Sequence, residues 1–254
     1  MSWFGSGDNS DNEDGSDVEG ENDEFKTFED QIVFLIDASE PMGLCNAHGE
    51  IHLVNSLRVA LAVFKSKIIA SAKTSVGIVF FNTLLKDTSG NSVHTLFNLA
   101  PPTASRMQQL HRLCENPSDF KRDIGYGSMC GTIPLKEGLW KCSEEFGVRA
   151  KKSTRGDYKR VWIFTNTDNP NSSDKVEQNR IVQVSKDCAE TGIEISLWHM
   201  NNLSVGNSGN FDVNKFYTRL LVADEDELHL RVKGSGDEGF SAMLAHAKRK
   251  GIRT

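Results

Sequence analysis

The chain has 254 residues, of which 38% are hydrophobic, 25% charged and 8% aromatic. That balance excludes a fibre or a wholly disordered protein and allows one large globular domain or two small ones. The net charge of -6 is unevenly placed: residues 1–24 hold nine acidic side chains and no basic one, leaving 29 basic against 26 acidic, or +3, for the body.

Residues 1–24 are rich in Gly, Ser, Asn and Asp. They hold too few apolar groups to offset the entropy of ordering, so they are expected to form a disordered acidic tail, with residues 25–254 as one domain. No apolar run approaches the ~20 residues that span a bilayer, and the N-terminus is acidic where a signal peptide is basic and then apolar. The expectation is an intracellular chain without a membrane partner. Cys45, Cys114, Cys130, Cys142 and Cys188 are odd in number and include no C-x-x-C pair, so buried reduced thiols are expected rather than a disulfide framework or zinc site.

Following the tail, the apolar run Ile32–Ile36 predicts a first strand, and Ile51–Ala72 predicts a helix. In that helix Leu53, Leu57, Ala60, Leu61, Phe64, Ile68 and Ile69 form one stripe at three- and four-residue spacing, which should pack across the strand. Val76–Phe81 predicts a second strand. A turn signal, T-S-G-N-S, then leads into alternating Val93–Leu99, which reads as a hairpin with an antiparallel edge strand. Helical patterns follow over Ser105–Glu115, Ile133–Phe146, Asp174–Glu190, Asp212–Leu221 and Glu238–Lys250, with strands at Val161–Phe164, Ile193–Trp198 and Leu228–Val232. The first, second and fourth strand candidates are apolar on both faces, as strands of a parallel sheet covered on both sides are. The fold class expected is α/β: a doubly wound, mostly parallel sheet with one antiparallel edge strand and helices on both faces. The abrupt basic end, K-R-K-G-I-R-T, reads as the boundary of a domain in a longer chain.

Ligands of open α/β sheets gather beyond the carboxyl ends of the strands. A metal-ion-dependent adhesion site on such a sheet needs Asp-x-Ser-x-Ser in one loop, a Thr in a second and an Asp in a third, because hard cations take oxygen ligands. The chain supplies Asp37 and Ser39, but Pro41 stands at the third position of the first motif and Asn166 at the carboxylate position of F-T-N-T-D-N-P-N. With Thr132 as the remaining oxygen, Asp37, Ser39, Thr132 and Asn166 read as a degenerate remnant with no metal bound, the weaker alternative being a metal-dependent adhesion module with Asp37, Ser39 and Thr132 as ligands. No phosphate-binding loop, G-x-S-x-G elbow or H-E-x-x-H occurs, so no cofactor is expected, and the glycine-rich stretch Gly125–Gly131 reads as a turn. The basic runs Arg149–Arg160 and Lys248–Arg253 could meet phosphates, but such runs between elements are usually solvated loops.

The segments V-F-L-I-D-A-S-E-P-M, K-R-V-W-I-F-T-N-T-D-N-P, A-E-T-G-I-E-I-S-L-W-H-M and F-D-V-N-K-F-Y, behind an acidic tail, closely resemble the N-terminal domain of the seventy-kilodalton Ku subunits. The resemblance covers residues 25–254. It implies a von Willebrand A-like domain without its metal site, in one half of a nuclear heterodimer that threads onto double-stranded DNA ends. The implied partners are the larger, eighty-kilodalton type subunit and end-joining and telomere proteins. The implied roles are double-strand break repair by non-homologous end joining and telomere maintenance, with a helicase and ATPase label on the whole complex. The main DNA-binding barrel would begin after this chain. The resemblance also implies a lyase acting on abasic or deoxyribose-phosphate ends through a lysine just before the first strand, which Lys26 in D-E-F-K-T-F-E-D matches with a one-residue gap. Schiff-base chemistry needs a neutral amine, and Glu24, Glu29 and Asp30 favour the charged one.

Overall fold

The computed structural model describes residues 29–46, 48–70, 73–128, 131–150, 157–201, 210–222, 225–234 and 244–245. The acidic tail, Lys26, Cys130, residues 151–156 of the basic run 149–160 and most of the helix expected over 238–250 lie outside them. Six strands form one sheet: β1 (Asp30–Asp37), β2 (Thr74–Phe81), β3 (Val93–Ala100), β4 (Tyr158–Thr165), β5 (Ile193–His199) and β6 (Val232–Gly234), in the order β3-β2-β1-β4-β5-β6. All neighbours pair in parallel except β2 and β3. This is the expected α/β class, with the antiparallel strand at one edge.

Side chains of β1 alternate between two cores. Ile32, Phe34 and Ile36 face α1 (His52–Ala70), α2 (Ala104–Glu115) and α3 (Pro117–Asp123), while Val33 and Leu35 face α4 (Leu135–Ala150) and α5 (Lys175–Glu190). Covering both faces removes each of these side chains from water, worth about 1.5–3 kcal/mol apiece. Gly138 lets α4 lie close to the sheet, since a Cβ there would stand 3.0 Å from a Leu35 methyl and 3.1 Å from Phe81 Cβ. Trp162 and Trp198 fill the first core beside Phe34 and Phe164 with ring centroids 4.9–5.8 Å apart.

Several expectations need correction. The stripe of α1 stops short: Ile68 and Ile69 are exposed, and the buried position of the last turn is taken by Lys67, which pairs with Asp30 of β1. The helix expected over Asp212–Leu221 is broken into a 3-10 turn, Val213–Lys215, and a single turn of helix, α6 (Tyr217–Leu220). Asp212 caps the 3-10 turn, its carboxylate accepting from Asn214 N at 3.0 Å, as its position predicts. Leu228–Val232 is not a strand; Glu225–Arg231 is helix α7, and only Val232–Gly234 joins the sheet. Its alternation of Leu and polar residues is too short to distinguish the two periods. Helix α3 carries too few apolar residues to show a period, and only Phe120 is buried from it.

The open edge of the sheet is covered by side chains. Buried Glu145 of α4 accepts from Leu99 N of β3 at 2.9 Å, and Arg106 of α2 donates to Asn98 O at 3.0 Å. Among the described residues no helix is long and apolar enough to cross a membrane.

Candidate functional site

The strand order reverses at β1, where the chain runs first to β2 and later to β4 on the other side. That arrangement opens a crevice beyond the carboxyl ends of β1 and β4. The loop after β1 is sewn to its neighbours by backbone bonds: Ala38 N donates to Phe81 O, Glu40 N to Gly127 O, and Gly127 N to both Ala38 O and Asn82 O, at 2.8–3.0 Å. Gly127 is required here by close approach, as a Cβ would stand 2.3 Å from Asn82 O. The glycine-rich stretch read as a plain turn is thus, at Tyr126 and Gly127, a bridge pairing with Thr83 and Ser39.

Asp37, 1% exposed, lies at the bottom of the crevice. Its Oδ1 accepts from Ser39 N at 2.9 Å and its Oδ2 from the Thr165 hydroxyl at 2.7 Å. Burial pushes its carboxyl above the ordinary range, with these hydrogen bonds opposing. The Thr165 hydroxyl accepts in turn from Thr167 N at 3.0 Å, and the buried Tyr217 hydroxyl donates to Thr167 O at 3.1 Å. Burial, and secondarily the negative charge of Asp37, raises the Tyr217 phenol far above its usual value. Asp37, Thr165, Thr167 and Tyr217 therefore form one connected polar chain across the crevice.

The structure brings Asp37, Ser39 and Asn166 to this crevice, all buried, while Thr132 is exposed on its own loop. Among the described residues the two polar side-chain atoms of Asn166 have no hydrogen-bond partner. Asp168 turns away, accepting from Asp212 N at 3.4 Å and pairing with Lys215. This donor set does not fit a divalent cation. A hard ion takes six or more oxygens with at least one free carboxylate, whereas the single carboxylate here already uses both oxygens and Pro41 has no hydroxyl. Among the described residues no three His, Cys, Asp or Glu side chains gather as a metal site.

Three residues that the sequence did not single out hold the rim. Asn171, buried, accepts from Ile133 N at 2.7 Å and donates to Ile133 O at 3.0 Å, pinning the T-N-T-D-N-P-N loop to the loop before α4. Its φ of +54° lies in the left-handed region that Asn tolerates best among side chains with a Cβ; an Asn directly after Pro was the available signal. Tyr217 lay in the quoted F-D-V-N-K-F-Y with no role attached. Gln178 completes the rim, donating to Asn169 Oδ1 and Pro170 O at 2.8 and 2.9 Å.

Cys114, Cys142 and Cys188 are buried, and burial holds the thiols of Cys114 and Cys188 at about 11 and that of Cys142 well up, so they behave as small apolar groups. Cys45 is exposed, contrary to the expectation of burial, because it lies in the open loop before α1. His199 stacks on Phe211 with centroids 4.6 Å apart, its Nδ1 unpartnered, and burial lowers its pKa to about 4.

A mostly parallel six-stranded sheet of this order, with helices on both faces, defines a von Willebrand A-type fold. Solved structures agree on the fold. The VWA domain of SpRpn10 matches with a TM-score of 0.51 at 14% identity, over 82% of this chain and 86% of that one. The pilus adhesin SpaC from Lactobacillus rhamnosus GG matches with a TM-score of 0.60 at 14% identity, over 89% and 30%. A family model described as the Ku70/Ku80 N-terminal alpha/beta domain matches residues 31–252, and the chain belongs to that family. Among relatives, the ATP-dependent DNA helicase ku70 of Dictyostelium discoideum is 32% identical over 88% of this chain and 25% of its own length. The X-ray repair cross-complementing protein 6 of Mus musculus is 31% identical over 78% and 32%. The ATP-dependent DNA helicase 2 subunit KU70 of Arabidopsis thaliana is 27% identical over 84% and 37%. The chain spans about a quarter to a third of the length of these relatives.

Proposed function

We propose that this chain is the N-terminal protein-contact domain of a Ku-type subunit. In this reading it pairs with the larger, eighty-kilodalton type subunit on double-stranded DNA ends, and acts in the nucleus in break repair by non-homologous end joining and in telomere maintenance. The names of its relatives, a helicase subunit and an X-ray repair protein, support a role in DNA repair. The observation that carries the reading is the state of the crevice carboxylate: both oxygens of Asp37 already accept bonds, from Ser39 N and from the Thr165 hydroxyl, which Tyr217 and Thr167 hold in place. Beside that centre the rim presents apolar side chains. Leu44 follows Gly43, which packs on the Tyr126 ring, and Leu84 packs on Gly125; the two leucines are 54% and 70% exposed. Such side chains on a rigid rim suit contact with other proteins.

The test is co-expression of the longer subunit with its larger partner, with and without residues 1–254, followed by gel-shift on linear and covalently closed DNA. The heterodimer lacking residues 1–254 should retain selective binding to ends and lose capture of repair proteins, while residues 1–254 alone should not select ends. Loss of end binding with retained capture would overturn the reading.

A further inference from the structure

Helices α1 and α2 pack side by side, and between them runs a groove of about 350 Å³ lined by Lys65, Met107, His111, Arg112 and Glu115. Arg58 and Lys65 are seven residues apart on α1, two turns along the same face, and both act on the Cys114 thiol of α2, which places them along this seam. Arg58, Lys65, His111 and Arg112 are all exposed. Among the described residues Arg58, Lys65 and Arg112 make no ion pair, although ten such pairs form elsewhere in the domain. Against these three cations the groove lining sets one acid, Glu115, and beyond the lining Asp123 of α3 acts on Arg112. Its floor is the half-buried thioether of Met107, a soft apolar surface that accepts aromatic rings.

We propose that this groove is the docking site of the chain's own acidic N-terminal segment, residues 3–24. The segment opens with Trp3-Phe4 and continues with nine acidic side chains and no basic one. An aromatic pair followed by a dense run of carboxylates is the complement of an apolar floor rimmed by unpaired cations.

Reach favours the same pairing. Lys67, two residues after Lys65 on α1, bonds Asp30 at 3.1 Å, so the groove begins close to where β1 starts. Asp8 to Glu24 precede Glu29 by 5 to 21 residues, which at ~3.3 Å per extended residue span roughly 17–70 Å. Tethering makes the encounter intramolecular, with an effective concentration on the millimolar scale, so individually weak exposed ion pairs suffice. Docked, the segment would neutralise the cations of this face and withhold them from polyanions.

The experiment is zero-length carbodiimide cross-linking of the whole chain, which joins carboxylates to lysine amines, read by peptide mass spectrometry. Lys65 should be amidated by carboxylates between Asp8 and Glu24 in preference to the exposed Lys86 and Lys186. The preference should vanish at about 0.5 M salt, where the Debye length falls below one side-chain length. In R58E/R112E, which changes only exposed side chains and is checked for folding by circular dichroism, the Lys65 yield should fall about fivefold. Equal yields at Lys65, Lys86 and Lys186 would overturn the proposal. So would cross-links that join labelled to unlabelled chains in a mixture, which would assign the groove to a second copy. Short duplex DNA that shields Lys65 while leaving the tail unshifted would assign it to nucleic acid.

Discussion

Replacing Asn171 with alanine isolates the clamp that holds the rim of the crevice. In the folded chain the amide accepts from Ile133 N at 2.7 Å and donates to Ile133 O at 3.0 Å, and Ile133 is itself buried. Alanine strands one buried backbone donor and one buried acceptor, each costing about 1–3 kcal/mol. It also places a side chain less tolerant of the left-handed region at φ +54°, which adds about 1 kcal/mol. The expected loss is about 3–5 kcal/mol, allowing for partial rescue by water, a large share of a domain's usual 5–15 kcal/mol. At about 2–4 °C per kcal/mol for a domain of this size, the melting temperature should fall by roughly 6–20 °C. Glycine at the same position relieves the φ cost and keeps the lost hydrogen bonds, so N171G should be about 1 kcal/mol more stable than N171A. Aspartate keeps an acceptor for Ile133 N but turns a carboxylate oxygen towards Ile133 O, so N171D should be at least as damaging as alanine. The assay is urea unfolding by tryptophan fluorescence with matched thermal melts. An N171A loss below about 1 kcal/mol would refute the reasoning, since it would mean that the Ile133 groups find water at no cost.

Three further outcomes follow from the site. Because burial raises the folded-state pKa of Asp37 above its unfolded value, folding favours the neutral carboxyl, and this contribution is present in acid and lost as pH rises through the folded value. D37N should therefore be no less stable than the parent at neutral pH and should show a flatter decline of melting temperature from pH 4 upward; a loss at every pH would mean the charge is needed. Millimolar magnesium, calcium or manganese should shift the melting temperature by less than about 1 °C, because a ligand at a hundred times its Kd would add about 2.7 kcal/mol; saturable heat in calorimetry would contradict the donor count. Lys26, flanked by Glu24, Glu29 and Asp30 in the sequence, should stay charged. Borohydride should then trap no adduct with abasic DNA ends, and an adduct lost in K26A would establish the Schiff-base role instead.

The central strands and main helices were legible in the sequence because their burial is total. A strand covered on both faces, such as β1, is apolar without a break from Ile32 to Ile36, and α1 carries a stripe that only one face can bury. The failures lie where burial is partial. Leu228–Val232 mixes the helical and strand periods over five residues, and Ile68–Ile69 continue a helical pattern into a turn whose buried position is held by Lys67. For the site, the spacing of Asp37, Ser39, Pro41 and Asn166 was enough to see that the donor set was incomplete. The rest was invisible, because Tyr217, at the start of α6, and Asn171, in the loop after β4, act through main-chain groups of Thr167 and Ile133, whose positions no local pattern encodes.

Strand β3 is the sheet's exposed margin, and two of its main-chain groups are bonded by Glu145 and Arg106 rather than left open. A chain adding there must first displace a buried carboxylate, so the domain resists growing strand by strand into fibrils from that side. Contacts made by this surface must therefore be read through side chains, which can be specific, and not through the backbone ladder, which any extended segment could copy. The same two residues would also be the first to check in a variant that aggregates while its core remains intact.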